Sequence, residues 1–333
     1  MKNNESFQTY IIKNHFNLLR RKTGCYNMAI SCQIMRQHYN NITYPIIIKG
    51  NLKEKGSKFI IKRKDLNLFL FYEIIEIIMT DYYIYIKYHI YKTIPESNEY
   101  DFFLAINYLN EDECVFFIHF VFDHRIYLSE KEVHEEIKSR KSLFKKLERS
   151  LKDYEFLKIS TVFTTINCKI ELIWDIVKNM KIIHKYSHLL CDKINYKGDI
   201  LKKDVIIRLM NVHGKSASET TALVTKLKMI KSDIIKEGTI ELLFQEEKNS
   251  FPSSYSKIVI KIYEYGERCT IYILYFFFTI QMNFKKFFLF KKNKEKELAK
   301  FKQIIENYNE NNNIKFNGKD IYNFENSCNF NKK

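Results

Sequence analysis

Three short stretches carry residues whose types and spacing could do chemistry. "HGKS" at 213–216 holds the closing residues of a phosphate-binding loop, in which backbone N–H groups cradle phosphate oxygens and a lysine reaches them. That loop needs Gly at position 209, and the chain has Leu209, so the cradle is incomplete and a β-turn is the expected structure. "HEEIK" at 134–138 has one His and one Glu at zincin spacing, but Lys138 stands where the second zinc-ligating His belongs. His184 and His188 lie four apart with Cys191 beyond, yet no fourth ligand follows at close spacing. The sequence therefore assigns no catalytic residue, no metal site and no cofactor.

Cysteine usage says the same. The seven cysteines, at 25, 32, 114, 168, 191, 269 and 328, are odd in number and scattered, and none forms a CxxC pair. Neither a disulfide framework nor a zinc ribbon is expected. The N-terminal "MKNNESFQTYIIKNHFNLLRRK" has no uninterrupted apolar core and no small-residue cleavage site, so a cytoplasmic, reducing location is expected.

Charge points to nucleic acid only at first sight. The formal net charge is +16 over 333 residues, but of the 55 basic side chains 9 are Arg and 46 are Lys. Lys, Asn, Ile, Phe and Tyr abound while Gly (8) and Pro (3) are scarce, the pattern of A/T-rich codons. Arg is the side chain that reads phosphate and guanine bidentately, and it is not enriched. Nucleic acid is not the expected partner.

Those side chains must be positioned by elements, and "TIYILYFFFTIQ" at 270–281 shows which kind. A membrane helix needs about 20 apolar residues. Here Arg268 precedes the run, Lys285 and Lys286 follow it, and its Ile, Tyr, Phe and Thr favour a buried strand. The strand occurs twice. "YDFFLAINYLNEDECVFFIHFVFD" (100–123) and "YSKIVIKIYEYGERCTIYILYFFF" (255–278) match at a constant offset of 155, placing Tyr108 on Tyr263 and Cys114 on Cys269. Each reads as a β-hairpin, turning at "NEDE" (110–113) and "YGER" (265–268).

After each hairpin comes a long basic amphipathic helix, carrying Val133, Ile137, Phe144, Leu147, Leu151 and Tyr154 in one copy. The other carries Phe284, Phe288, Leu298, Phe301, Ile305 and Tyr308. Before each hairpin come an opening strand, a short helix ("YNMAISCQIMRQHY" and "CKIELIWDIVKNM") and four strands. The first set of strands is expected near 44–49, 58–64, 67–79 and 82–93, and the second near 190–197, 201–212, 219–230 and 234–246. The element order is β–α–β₆–α, twice. An α+β chain of two domains, 7–154 and 156–309, with an Asn-rich flexible tail at 310–333, is expected.

This order resembles the helix-grip fold of the START-like, or SRPBCC, superfamily, which includes birch-pollen allergens, polyketide cyclases and coenzyme Q-binding proteins. The local match is "NCKIELIWDIVKNMKIIHKYSHLL" (167–190), with Trp174 as the aromatic of the first helix; the first copy has Ser31 there. The resemblance implies two antiparallel seven-stranded sheets, each curved around a long C-terminal helix with an apolar cavity between. It implies binding or transfer of a hydrophobic small molecule such as a lipid, sterol or polyprenyl compound. A protein-interaction or chaperone-regulating module without a ligand is the alternative, and a cyclase- or dehydrase-type enzyme the third.

Site residues follow from alternation along the second copy's strands and one helical face. Trp174, Leu209, Leu223, Leu243, Ile260, Phe301 and Ile305 are expected around a common apolar space. Trp174 has a second reading as plain core. "FKKFFLFKK" (284–292) sets aromatics among lysines, which suits an anionic membrane surface; Lys285, Lys286, Phe287 and Phe290 are the candidate contacts, with packing against the other domain as the alternative. The inward phase differs between the copies. Ile258, Ile260 and Ile262 face in, while the aligned Phe102, Leu104, Ile106 and Tyr108 fall in the opposite phase. Either the alignment slips by one, or the copies use their sheets differently.

Overall fold

The computed structural model describes residues 5–13, 44–63, 68–80, 83–94, 100–108, 113–122, 159–179, 193–195, 201–213, 216–244, 255–277 and 284–311. The first-copy helices, the "HEEIK" stretch, the His184–Cys191 cluster and the tail beyond 311 lie outside them.

Alternating β-branched and aromatic residues give strands where the period-two pattern predicts them. In the first half these are β1 (Glu5–Lys13), β2 (Ile46–Lys49), β3 (Lys58–Arg63), β4 (Leu68–Met79), β5 (Tyr83–Ile94), β6 (Tyr100–Tyr108) and β7 (Glu113–Phe122). They form one antiparallel sheet in the order β1-β7-β6-β5-β4-β3-β2. The second half has β8 (Ile159–Ile166), helix α1 (Ile170–Lys178), β9 (Lys193–Asn195), β10 (Ile206–His213), β11 (Ser216–Lys231), β12 (Lys236–Phe244), β13 (Tyr255–Tyr265), β14 (Arg268–Phe277) and helix α2 (Phe284–Asn311). Its sheet repeats the order, β8-β14-β13-β12-β11-β10-β9. In each sheet the first strand lies beside the last, and the others follow as a meander. The chain divides into two compact units, 1–156 and 157–333, and each sheet belongs wholly to one of them.

Strand register settles the phase of the two copies. In the second hairpin Glu264 pairs with Cys269, leaving four residues between them. In the first, Tyr108 pairs with Cys114, leaving five. The first turn is one residue longer, so Tyr108 corresponds to Glu264 and not to Tyr263. Phe102, Leu104 and Ile106 then occupy the register positions of Ile258, Ile260 and Ile262. The constant offset of 155 slips by one before the turn, and both copies keep the same phase. In the first sheet Ile86, Tyr88 and Ile90, all buried, pair with Leu104, Phe102 and Tyr100 on that phase. The opposite face of the same strands carries a charged row, in which Lys58 bonds Glu73 at 3.0 Å and Asp101 receives both His89 (2.7 Å) and Lys87 (3.0 Å).

The apolar run that reads as a buried strand is β14. From Cys269 to Tyr275 every residue is buried, so both its faces are covered. It is joined to β13 by a two-residue turn in which Gly266 takes φ +63°, a conformation open to glycine at the first central position of a type II′ turn. "HGKS" also closes a hairpin: His213 pairs with Ser216 between β10 and β11. Among the described residues no helix is long and apolar enough to cross a membrane.

Candidate ligand-binding site

The inner face of the second sheet is the one on which α1 packs, and a glycine marks it. A Cβ on Gly238 in β12 would lie 2.9 Å from two ring carbons of Trp174 and 3.5 Å from Cβ of Ile262. Any side chain there would collide with the indole, so glycine lets the tryptophan ring approach the strand closely. Cross-strand partners share a face. From Gly238 the register carries the inner face to Ile262 and Ile271, then to Ile240, Ile260 and Ile273, and to Leu242, Ile258 and Tyr275. All are buried. On β11 and β10 the same face holds Val224, Ala222 and Ile207. It is a continuous, largely aliphatic surface.

At one end of this surface the charges neutralise one another. Helix α1 has no capping side chain of its own at Lys169; instead Glu264 of β13 accepts the Ile170 N–H at 2.6 Å. Glu264, only 6% exposed, also pairs with Lys236 at 2.9 Å. Lys236 reaches Glu171 at 3.0 Å, and Lys231 reaches it at 3.2 Å. Burial works against the Glu171 carboxylate, but the helix backbone and the two lysines outweigh it and hold its pKa below the usual value. Hydrogen bonding to Glu264, opposed by burial and aided by Glu171, raises Lys236. Beside this network Cys168 and Cys269 are buried free thiols, and Cys269 donates to the Cys168 carbonyl at 3.2 Å. Contact with Cys168 and burial push the Cys269 thiol far up, so it stays protonated.

Helix α2 closes the inner face, running in the same direction as the edge strand β8 and antiparallel to β14. Near its C-terminal end Glu306 accepts the Asn167 N–H at 3.1 Å. Near its start Phe290 meets Tyr275 and Phe277 edge-on, with ring centroids 5.3 and 5.4 Å apart. Lys294 sits 5.6 Å from the Tyr275 ring centroid and 5.8 Å from that of Phe290. Between these ends Leu298, Phe301 and Ile305 are buried.

Of the seven expected pocket residues, Trp174 and Ile260 lie on the inner face, and Phe301 and Ile305 are buried on α2. Leu209 lies two positions along β10 from Ile207 and pairs with Ile194 and Thr220. Leu223 and Leu243 are on the other side. They pair with each other, Leu223 also pairs with Ile206 (60% exposed), and Leu243 is itself 45% exposed. On these two strands the inward positions belong to Leu242, Val224 and Ala222, each one residue away from Leu243 or Leu223. A register shift between Val224 and Lys226 breaks the simple alternation of β11, which sequence spacing does not show. Of the candidate membrane residues, Phe290 packs on its own sheet while neighbouring Leu289 is 58% exposed; the side chains of Lys285, Lys286 and Phe287 lie outside the described set. Sequence reasoning missed Gly238, Glu264 and Ser160. A glycine inside a strand was the legible signal for the first.

The di-domain ARO/CYC StfQ from the steffimycin biosynthetic pathway aligns with 89% of this chain and 97% of its own, at 7% identity and a TM-score of 0.38. The di-domain ARO/CYC BexL from the BE-7585A biosynthetic pathway aligns with 90% of this chain and 94% of its own, at 8% identity and a TM-score of 0.34. A START superfamily protein from Mycobacterium smegmatis matches 44% of this chain and 96% of its own, at 9% identity and a TM-score of 0.32. No protein-family model and no curated protein sequence matches. At these identities and scores the likeness carries no functional argument, and the inner face of the second sheet carries it instead.

Proposed function

We propose that the second unit binds a hydrophobic small molecule, of the lipid, sterol or polyprenyl kind, between the inner face of its sheet and helix α2. One observation carries this reading: the inner face is a continuous, largely aliphatic surface closed by a helix anchored along the edge strand. Ile258, Ile260 and Ile262 on β13 and Ile240 and Leu242 on β12 form its centre. Small-ligand sites are apolar concavities with few polar groups, and such a surface recognises shape and apolar area. Binding or transfer fits better than turnover. The carboxylates nearest this face, Glu264 and Glu171, are already engaged with the α1 N-terminus, Lys236 and Lys231, so neither is poised as a general acid or base.

Native mass spectrometry of the gently purified full chain tests the proposal. The expected result is an excess mass that disappears on denaturation and belongs to an organic-extractable molecule. A bare chain mass, with no uptake after incubation with a mixed lipid extract, overturns it.

A further inference from the structure

Ser160 is the second residue of β8 and is 1% exposed, yet its Oγ has no hydrogen-bond partner. It pairs with Tyr275, and so shares the inner face with Val162 and Ile166 and with the residues that α2 covers. An unpaired buried hydroxyl is costly, and alanine at this place would avoid the cost. Neighbouring Thr161 is also unpaired, but it is directed to the opposite face with Leu274. Ser160 thus puts one unsatisfied donor and acceptor beside Val162 and Tyr275 on that face.

Its surroundings define what could satisfy it. Tyr275, its cross-strand partner, is met edge-on by Phe290, which also meets Phe277, and Lys294 lies over the Tyr275 and Phe290 rings. The ionic network around Glu264 lies beyond the other end of β8, about 20 Å away at about 3.3 Å per strand residue, so it cannot serve this hydroxyl. We infer that Ser160 is the polar anchor of the site, hydrogen-bonding a hydroxyl or carbonyl oxygen on a ligand whose apolar frame lies against the aromatic rings. This rests on the binding reading above and narrows it: the ligand is an oxygenated apolar molecule, and a plain hydrocarbon binds more weakly.

Fluorescence titration of the full chain with 2-naphthol and with naphthalene tests the anchor, since the probes differ by one oxygen. Wild type is expected to bind 2-naphthol about tenfold more tightly. Ser160→Ala is expected to bind both alike, with naphthalene affinity unchanged, and to melt no lower than wild type because it removes an unpaired hydroxyl. Equal binding of both probes by wild type overturns the anchor and leaves the apolar site standing. A 2-naphthol preference that survives in Ser160→Ala also overturns it, as does a clearly lower melting temperature, which would mean the hydroxyl has a partner within the fold. If neither probe binds wild type, the anchor and the apolar site fall together.

Discussion

Glu264 holds together the end of the second unit where α1 begins. Its carboxylate is nearly fully buried, and it is tolerated there because a helix N-terminus and a lysine both face it. Lys236→Met removes the cation and leaves the carboxylate with the Ile170 N–H alone. A loss of roughly 2–3 kcal/mol is expected, read from urea denaturation; a loss below about 0.5 kcal/mol, the size of an ordinary surface change, would show the pair to be dispensable. The same network sets the pH limits. Glu171 has a lowered folded pKa, so its stabilisation is complete above the usual value of 4.5 and is lost as pH falls through the lower folded value. Lys236 has a raised folded pKa, so its stabilisation is complete below 10.5 and is lost as pH rises through the higher folded value. Melting temperature is therefore expected to be flat between these limits, and Glu171→Gln to flatten the acid limb while leaving the alkaline one. An unchanged acid limb in that variant would assign the transition to other carboxylates.

Elements were legible where they repeat a simple period and illegible where one residue disturbs it. The strands from β2 to β14 stand close to where alternation places them, because β-branched and aromatic residues suit a pleated surface. The faces were harder. A longer turn between β6 and β7 and a register shift in β11 each reverse a phase, and neither leaves a mark in spacing. Leu223 shows this: plain alternation back from Leu227 turns it inward, and the register shift turns it out, beside Leu243 on the regular strand β12; Trp174, on a short helix, is seated against Gly238. The start of α2 shows the same limit. "FKKFFLFKK" gives no hint that Phe290 turns to the sheet and Leu289 outward. These neighbours are expected to behave differently. Phe290→Ser should cost roughly 2 kcal/mol of stability, since it strips two ring contacts from a half-buried position. Leu289→Ser should leave stability unchanged and, if α2 touches membranes during loading, reduce pelleting with anionic vesicles. Equal and negligible pelleting of wild type and Leu289→Ser on anionic and neutral vesicles would end the membrane role.

The repeated hairpin was the sequence feature with the longest reach, because it implied the whole architecture from two matching stretches. Each copy supplies all seven strands of its own sheet, with the first strand returning to pair with the last. Among the described residues no strand is exchanged, and the pairings of each sheet lie within one unit. In the second unit the helix that closes the inner face also belongs to the same stretch, as do Glu264, Lys236 and Ser160. A chain of this size with its own apolar core is within the range of independently folding domains. The fragment 157–333 is therefore expected to fold alone, to unfold in a single cooperative transition, and to keep the full chain's preference between 2-naphthol and naphthalene. Calorimetry and the same titration check it. A fragment with no transition would show that the second sheet, though complete in its strands, needs residues 1–156 to reach its folded state. A folded fragment that binds neither probe, when the full chain binds both, would move the site away from the second unit's inner face.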